Sequence, residues 1–358
     1  FIRKHVHESE QFIRVQASES NSLLSDVAKK MFSTPHLAWQ TVGLMIMMTV
    51  QIAAGTSYHA GLVGKTMLEH YTGIPTEVGL ASEAGYHFPM MSKNPFFIFL
   101  TQSGETADSR VVLKEVNKRN IPSLTITNVE GSTLSREADY TMLLEAGPEI
   151  AVASTKAYTA QIAVQAVLAK ALGEALNKAE AKDWNLKHDL AIAAEGMQQL
   201  VDSKESLKEI ADKYLIKSRN AFYIGRGIDY AVALEGALKL KEVSYIQTEG
   251  FAAAELKHGT ISLIEKDTPV IALINDPATA DLTRGNIQEV VSRGANVVTI
   301  AGKDFAREGD NVVLPEINYY MSALLTVVPA QLLAYYASKD KGLDVDKPRN
   351  LAKSVTVE

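Results

Sequence analysis

The stretch FFIFLTQSGETADSRVVLKEV, residues 96–116, sets an apolar run directly before a cluster of hydroxyl and amide side chains. The apolar run is typical of a buried strand, and the spacing of Val112, Leu113 and Val116 then indicates a helix. Strand followed at once by helix is the unit from which parallel α/β sheets are built. The polar residues 101–106 fall between the two, where such sheets bind ligands.

The same alternation of strands and helices occurs twice along the chain. A glycine turn at Gly55 follows the first apolar run, and a second glycine turn, at Gly225, follows a similar run in the other half. The pattern therefore predicts an α/β protein with two tandem, doubly wound, parallel-sheet sandwiches of flavodoxin-like type and a C-terminal tail. The predicted boundaries are a helical lead-in at 1–40, a first domain at 41–176, a helical connector at 177–214, a second domain at 215–342 and a tail at 343–358.

The composition limits the classes of function. The 358 residues carry a net charge of -6 and no long basic run, so the sequence gives no sign of a nucleic-acid surface. The chain has no cysteine, which excludes disulfides, thiolate metal sites and a cysteine nucleophile within it. The apolar stretch 42–54 is too short to cross a bilayer of about 30 Å and is interpreted as a buried strand with its lead-in. No membrane partner is expected.

The residues between strand and helix at 101–106 favour a phosphate site. The first N–H groups of a helix are unpaired and carry partial positive charge, so an anion placed there receives several donors. The hydroxyls of Thr101, Ser103 and Thr106 and the amide of Gln102 add further donors. The turn AGTSYHAG at 54–61, which ends the first strand, repeats the pattern. The alternative is helix capping by Ser103 or Thr101 with help from Glu105 or Thr106.

Three charged residues share one face of a predicted helix in the second half. Glu235, Lys239 and Glu242 are separated by four and three residues, which places them side by side on a helix. The plain alternative is a solvated ladder of salt bridges. The spacing alone favours that ladder, and the glycine turn that precedes the helix argues against it, because ligand sites lie at strand ends.

Two further residues carry acid–base or nucleophilic chemistry. His258, beside Gly259, belongs to a residue type that can serve as an acid or base, although a histidine in such a place is commonly a surface or capping residue. Lys353 lies in the polar tail NLAKSVTVE. A tail lysine is ordinarily just solvated, but a tail that folds over a site brings in an amine nucleophile. From the residues alone, the prediction is an α/β pair that binds a phosphorylated small molecule.

Several motifs resemble the sugar-isomerase (SIS) half of the glutamine–fructose-6-phosphate aminotransferases. The resemblance covers the chain from about residue 50 to its C-terminus, and its most specific parts are the KLKE and ELKHG motifs and the tail. It implies two SIS domains and the conversion of fructose 6-phosphate and ammonia to glucosamine 6-phosphate. The motifs are AGTSYHAG, TQSGETADS, PEIAVASTKAYTAQ, ALEGALKLKEVSYI, AAAELKHG and PRNLAKSVTVE.

The resemblance also assigns roles to residues. Lys353 is implied to form an imine with the ketose C2, Glu242 to move a proton between C1 and C2, and His258 to assist ring opening from across a subunit interface. Lys239 matches a lysine next to that carboxylate. The phosphate contacts implied are Ser57, Thr101, Gln102, Ser103 and Thr106, and the contacts to sugar hydroxyls are Thr56, Val152 and Ser154.

The chain departs from the complete enzymes of this family, whose glutaminase domain begins with a catalytic cysteine. Because there is no cysteine here, the expectation is an isolated isomerase half with its ammonia source missing. A homodimer in the cytoplasm is expected, with no cofactor, no metal ion and no nucleic-acid partner. Two alternatives from the same fold are a non-catalytic sugar-phosphate sensor and a related SIS deglycase or ketose isomerase. Glucose 6-phosphate is the product expected when isomerisation occurs without ammonia.

Overall fold

The computed structural model describes residues 48–91, 94–354 and 356, so the predicted lead-in at 1–40 and the residues up to 47 lie outside the described part. The described residues form two units, each built on one sheet. The first unit comprises residues 48–149 and 154–188 together with the last residues from 352. The second unit comprises residues 150–153 and 189–351.

The first unit has a five-stranded parallel sheet in the order β2-β1-β3-β4-β5. One face of the sheet packs against α2, α3 and α4, where Phe97 and Phe99 of β3 lie in the core with Val112 of α3. Helices α1 and α5 pack against one another in the same unit. The elements are β1 Met48–Ala53, α1 Thr56–Thr72, β2 Thr76–Leu80, α2 Ala81–Ala84, β3 Pro95–Leu100, α3 Ala107–Lys118, β4 Ser123–Thr127, α4 Thr133–Glu137, β5 Tyr140–Leu143, α5 Lys156–Ala175 and α6 Ala179–Asp183.

The second unit repeats this architecture in a parallel sheet of order β10-β9-β8-β6-β7. Read from β7, the order is that of the first sheet, so the predicted fold class is confirmed, including the duplication and the flavodoxin-like winding. The elements are α7 Leu186–Asp202, α8 Lys204–Tyr214, β6 Asn220–Gly225, α9 Ile228–Ser244, β7 Gln247–Ala252, β8 Pro269–Ile274, α10 Ala280–Val291, β9 Asn296–Gly302, β10 Val312–Leu314 and α11 Ser322–Asp340.

The strands β2 and β7 were not predicted from the sequence. Each is the second strand of its repeat and lies at the edge of its sheet, beside β1 or β6. Both are mainly exposed or half-buried, with one fully buried residue each, Thr76 and Thr248. An edge strand has one neighbour rather than two, so it does not need the continuous apolar run that marks the central strands.

Among the described residues, one helical segment, Tyr319–Asp340, is long and apolar enough to cross a membrane. Its apolar window is 89% buried within the protein. Residues on all sides of α11 are buried, including Leu325, Leu333 and Ala337, and the helix packs against α8 and α9 of its own unit. A helix surrounded by protein on all sides is hydrophobic all round, which accounts for its composition.

Candidate active site

The two hydroxyl turns of the first unit lie side by side at the carboxyl ends of neighbouring strands. Strands β1 and β3 pair in parallel with Ile52 opposite Phe99, so the turns that follow Ala53 and Leu100 leave the sheet at the same edge. Helix α1 lies beyond one turn and α3 beyond the other. In a sheet of order 2-1-3-4-5 this is the point where the strand order reverses, and ligands bind in the crevice there.

The 101–106 turn is held in a fixed shape by its own hydroxyls. Thr101 is 3% exposed, and its Oγ1 accepts the Gly104 N–H at 3.1 Å and lies 3.3 Å from the Thr106 Oγ1. The Ser103 Oγ accepts the Glu105 N–H at 3.1 Å. The turn is also anchored from outside, because the Gln102 carbonyl accepts the Asn128 N–H at 3.1 Å. A preformed turn of this kind loses little conformational entropy when it binds a ligand.

Helix capping does not explain these hydroxyls. Helix α3 begins at Ala107, and its N-cap, Thr106, makes no side-chain capping bond. The Glu105 carboxylate accepts the Thr133 N–H at 2.8 Å, in the first turn of α4 rather than of α3. Hydrogen bonds from Thr133 lower the pKa of the Glu105 carboxyl. The capping alternative is therefore wrong for Thr101 and Ser103, and Glu105 serves a different helix.

Gly104 is required by the path of the chain. Its φ of +70° lies in the left-handed region, and a Cβ built on it would lie 1.9 Å from the Ser132 Oγ. A side chain at this position would be strained and would also displace Ser132. Glycine therefore lets the turn pass directly over the loop that follows β4.

The first turn of α1 is connected to α5 through buried amides. Ser57 is 9% exposed, and its Oγ accepts the Gln161 Nε2–H at 2.9 Å. Gln165, one turn further along α5, donates to the carbonyls of Ala60 and Gln161 at 3.0 and 3.2 Å. Gly64 makes room for this amide, since a Cβ there would lie 1.6 Å from the Gln165 Oε1.

The N-terminal end of α5 holds a buried carboxylate that the sequence reasoning did not single out. The Glu149 side chain has no exposed surface, and its Oε1 accepts the N–H groups of Thr155 and Ala157 at 2.8 and 3.3 Å. A carboxylate is stabilised there by the unpaired N–H groups of the helix. The one signal in the sequence was a glutamate shortly before a helix, which is too common a pattern to identify a site.

Two consecutive residues of the tail reach this part of the first unit. Lys353 Nζ lies 3.1 Å from Glu149 Oε2, and Ser354 Oγ lies 3.1 Å from Ser103 Oγ. The Lys353 side chain is 28% exposed, so it is not simply solvated. The tail thus touches both the hydroxyl turn and the N-terminal end of α5, within a single unit.

The three charged residues of α9 are buried in the second unit. Lys239 Nζ lies 2.5 Å from Glu242 Oε2 and 3.4 Å from Glu235 Oε1, and the side-chain exposures of Glu235, Lys239 and Glu242 are 0%, 2% and 21%. Burial lowers the pKa of the Lys239 ammonium, but Glu235 and Glu242 together outweigh it, so the pKa lies above its ordinary value. The alternative of a solvated salt-bridge ladder is wrong, because only Glu242 meets solvent.

Glu242 lies at the C-terminal end of α9, whereas the argument from the sequence referred to the N-terminal end, next to the glycine turn. The glycine turn precedes Ile228, whereas Glu242 is in the last turn of a 17-residue helix. The carboxyl-end rule therefore does not account for its place. Tyr245 ends the helix in the left-handed conformation, with φ of 59°, and its hydroxyl accepts the Arg349 N–H at 2.8 Å. The tail passes the Glu242 end of α9.

The remaining predicted residues are spread over both units. His258 is exposed and ends the 3₁₀ helix Glu255–His258 in the second unit. No hydrogen bond joins it to Glu242 or Lys239 among the described residues. Val152 also belongs to the second unit, where its N–H donates to the Asp346 carbonyl at 3.0 Å. Thr56 and Ser154 are half-buried in the first unit.

The equivalent position of the second sheet carries acidic side chains instead of hydroxyls. Where β6 and β8 end, the buried Asp229 accepts the N–H and Nδ2–H of Asn275 at 2.6 and 2.7 Å, and Asp276 follows directly. Burial raises the pKa of the Asp229 carboxyl to about 6, with the hydrogen bonds of Asn275 opposing that rise. Two carboxyl groups at one strand edge disfavour an anion, so the candidate anion cradle, formed by the hydroxyl turns at 54–61 and 101–106, lies in the first unit.

Fold and site together define an α/β protein with two flavodoxin-like repeats and a hydroxyl-rich candidate anion cradle at the switch point of the first. The SIS-domain model matches residues 49–171 and 214–338, one copy on each sheet. The chain belongs to the SIS-domain family.

Sequence identity to named aminotransferases agrees with this assignment. The chain is 65% identical over 307 residues to the isomerizing glutamine–fructose-6-phosphate aminotransferase of Lactiplantibacillus plantarum, which covers 86% of this chain and 51% of the relative. A relative in Streptococcus pneumoniae, with the same name, is 62% identical over 307 residues. The chain thus spans about half the length of the curated relatives it matches, and the predicted resemblance is confirmed.

Solved structures show which half is matched. The C-terminal domain of glucosamine-fructose-6-phosphate aminotransferase from Francisella tularensis superimposes with a TM-score of 0.79 and 33% identity, covering 86% of this chain and 88% of that one. The tagatose-6-phosphate ketose/aldose isomerase of Escherichia coli has a TM-score of 0.78 at 18% identity, covering 98% and 96%. At that identity the second likeness concerns the fold alone.

Proposed function

We propose that this protein converts fructose 6-phosphate and ammonia to glucosamine 6-phosphate, as the isomerase half of an isomerizing aminotransferase. One observation carries the proposal: consecutive tail residues, Lys353 and Ser354, contact Glu149 and Ser103 beside the hydroxyl turn. A sugar phosphate bound by that turn would have the segment that carries a primary amine next to it. An amine beside a bound ketose is the requirement for imine chemistry at C2.

The phosphate is assigned to the donors of the first unit. Helices α1 and α3 begin just after the strands β1 and β3, and the side chains proposed as donors there are Ser57, Thr101, Gln102, Ser103 and Thr106. Gln161 fixes the direction in which the Ser57 hydroxyl donates its hydrogen bond. Because the Ser57 Oγ already accepts from the Gln161 Nε2–H, its own hydrogen is left to be donated to the anion. Thr56, Val152 and Ser154 are assigned to the sugar hydroxyls.

The chemistry needs three kinds of group. A closed ketose ring cannot isomerise, so His258 is proposed to transfer the proton that opens it. The Lys353 amine then attacks C2, the C2 oxygen leaves as water, and the resulting imine makes the C1 protons more acidic. Ammonia displaces Lys353 from C2, and Glu242 carries the proton from C1 to C2, which gives the aldose amine. Lys239, fixed by Glu235, holds the Glu242 carboxylate by an ion pair at 2.5 Å.

Turnover is the direct test of this proposal. With fructose 6-phosphate alone, the protein should form glucose 6-phosphate, and with ammonium added it should form glucosamine 6-phosphate. Both products are quantified by chromatography against authentic standards. Tight sugar-phosphate binding without turnover would contradict the proposal and favour a sensor, and turnover of an amino-acid–sugar phosphate instead would favour a deglycase.

The hydrogen bond from Gln161 to Ser57 predicts that Gln161→Met weakens substrate binding. This change removes the amide donor, so the Ser57 hydroxyl is free to turn away from the phosphate. A lost hydrogen bond of about 1 kcal/mol corresponds to a rise in KM for fructose 6-phosphate of about threefold to tenfold. We expect kcat to stay within about twofold, because the phosphate is bound equally in ground and transition states.

Gln165→Met is the matched control. It replaces the same side chain one turn further along α5, equally buried but with no bond to Ser57. It should lower the melting temperature without raising KM. An equal rise in KM in both variants would mean that α5 packing, rather than Ser57, accounts for the effect.

The assembly proposed for this chain is a homodimer in the cytoplasm, with ammonia supplied by a glutaminase domain. The exposed His258 supports the dimer, since the proposed ring-opening role requires it to meet a sugar. The name of the relatives, which includes glutamine, supports the glutaminase partner.

A further inference from the structure

The buried Glu149 carboxylate lies in contact with the tail amine. Its Oε2 lies 3.1 Å from Lys353 Nζ, while its Oε1 is occupied by two backbone N–H groups at the start of α5. The side chain has no exposed surface. Its position is therefore set by α5 and does not depend on the lysine.

The Glu149 carboxylate lies next to the Lys353 amine, which must be unprotonated to act as a nucleophile. A protonated amine has no lone pair with which to attack a carbonyl. A sugar phosphate in the cradle displaces water from around the pair. Losing that water disfavours both charges, whereas the neutral amine and neutral carboxylic acid are much less affected.

We infer that Glu149 is a catalytic residue that takes the Lys353 proton and returns it during imine formation; the inference rests on the proposed function. The Nζ proton passes to Glu149 Oε2, the Nζ lone pair forms a bond to C2, and the C=O π electrons move to the C2 oxygen. Glu149 returns that proton to the C2 oxygen and passes a second Nζ proton to it in the same way, so the oxygen leaves as water when the C=N bond forms. The third Nζ proton stays on the protonated imine, and Glu149 ends as a carboxylate.

The test compares imine formation with sugar binding in Glu149→Gln. The amide keeps an oxygen for the N–H groups of Thr155 and Ala157 but cannot take a proton. The rate at which borohydride traps the adduct with fructose 6-phosphate should fall about 10²- to 10⁴-fold. Affinity for sorbitol 6-phosphate, which has the phosphate but no carbonyl, should change less than twofold. Glu149→Asp, which restores a carboxylate one methylene further away, should recover part of the rate.

Glu115→Gln is the matched control, because it removes a carboxylate paired with Arg119 in the same unit at an exposed site. It should trap the adduct at the wild-type rate. Trapping by Glu149→Gln at the wild-type rate or faster would overturn the inference, since a faster rate would make Glu149 a clamp that restrains the amine. A parallel loss of sorbitol 6-phosphate binding would also overturn it and make Glu149 structural.

Two further variants, Glu149→Asp and Lys353→Ala, distinguish a folding defect and a wrong nucleophile from a wrong role for Glu149. If Glu149→Gln does not fold, as judged by far-UV circular dichroism, Glu149→Asp decides: an unchanged trapping rate overturns the role, and a rate reduced about tenfold or more with intact binding supports it. If the adduct persists in Lys353→Ala, it is the proposed nucleophile that has failed. If that variant loses the adduct while Glu149→Gln keeps it, only the inference about Glu149 has failed.

Discussion

Lys353→Ala should form no adduct that borohydride can trap with fructose 6-phosphate, and isomerisation to glucose 6-phosphate should fall by more than about 10³-fold. The physical reason is that alanine removes the only atom through which the covalent route is proposed to run. Lys353→Arg should be equally inactive, because a guanidinium stays protonated and cannot attack a carbonyl. Trapping is followed by mass spectrometry and isomerisation by a coupled assay for glucose 6-phosphate.

Lys347→Ala is the control for this experiment. Lys347 is an exposed lysine of the same tail, six residues before Lys353, so its removal changes the charge of the segment equally. It should keep both trapping and isomerisation. Both alanine variants should still bind sorbitol 6-phosphate, whose proposed contacts are in the hydroxyl turns. An adduct that persists in Lys353→Ala would show that the nucleophile is a different amine.

Glu242→Gln should separate imine formation from proton transfer. The amide cannot carry a proton between C1 and C2, so we expect isomerisation to fall about 10²- to 10⁴-fold. Exchange of the C1 hydrogen with deuterium from D₂O should fall equally. The adduct through Lys353 should still be trapped at close to the wild-type rate, because attack at C2 precedes the step assigned to Glu242.

The buried Lys239 makes a folding control necessary here. Glu242→Gln removes one of two carboxylates around this ammonium, but Glu235 remains 3.4 Å away, so the charge keeps a partner. Glu316→Gln, at an exposed carboxylate of the same unit paired with Lys303, is the matched change and should leave activity unaltered. If Glu242→Gln isomerises normally while folded, another group moves the proton.

The fold was largely predictable because its central strands are buried on both faces. Such strands read as apolar runs, FFIFL at β3 and PVIALI at β8, and each is followed by a polar turn and a helix. Two of the four edge strands, β2 and β7, escaped the same reasoning, because an edge strand needs only part of its surface buried. The N-terminal residues before Met48 lie outside the described part, so the prediction of a helical lead-in there stays a prediction.

The candidate site was predictable only in part. The polar residues at 101–106 stand out because capping a helix requires one of them, whereas three hydroxyls and an amide are present. Glu149 did not stand out, since a single glutamate before a helix is ordinary until its side chain is known to have no exposed surface and to face Lys353. Glu242 was singled out by its spacing from Lys239, but on a positional argument that refers to the opposite end of α9.

The sequence by itself determined the alternation of strands and helices, its duplication, the hydroxyl turns and the amine in the tail, because these depend on neighbours along the chain. Tertiary structure alone decided which repeat keeps an anion cradle and what Lys353 touches. Those outcomes depend on residues far apart in sequence: Ser57 with Gln161, Asp229 with Asn275, and Glu149 with Lys353. Burial turns such pairs into defined charges and hydrogen-bond directions, and burial is a property of the folded chain.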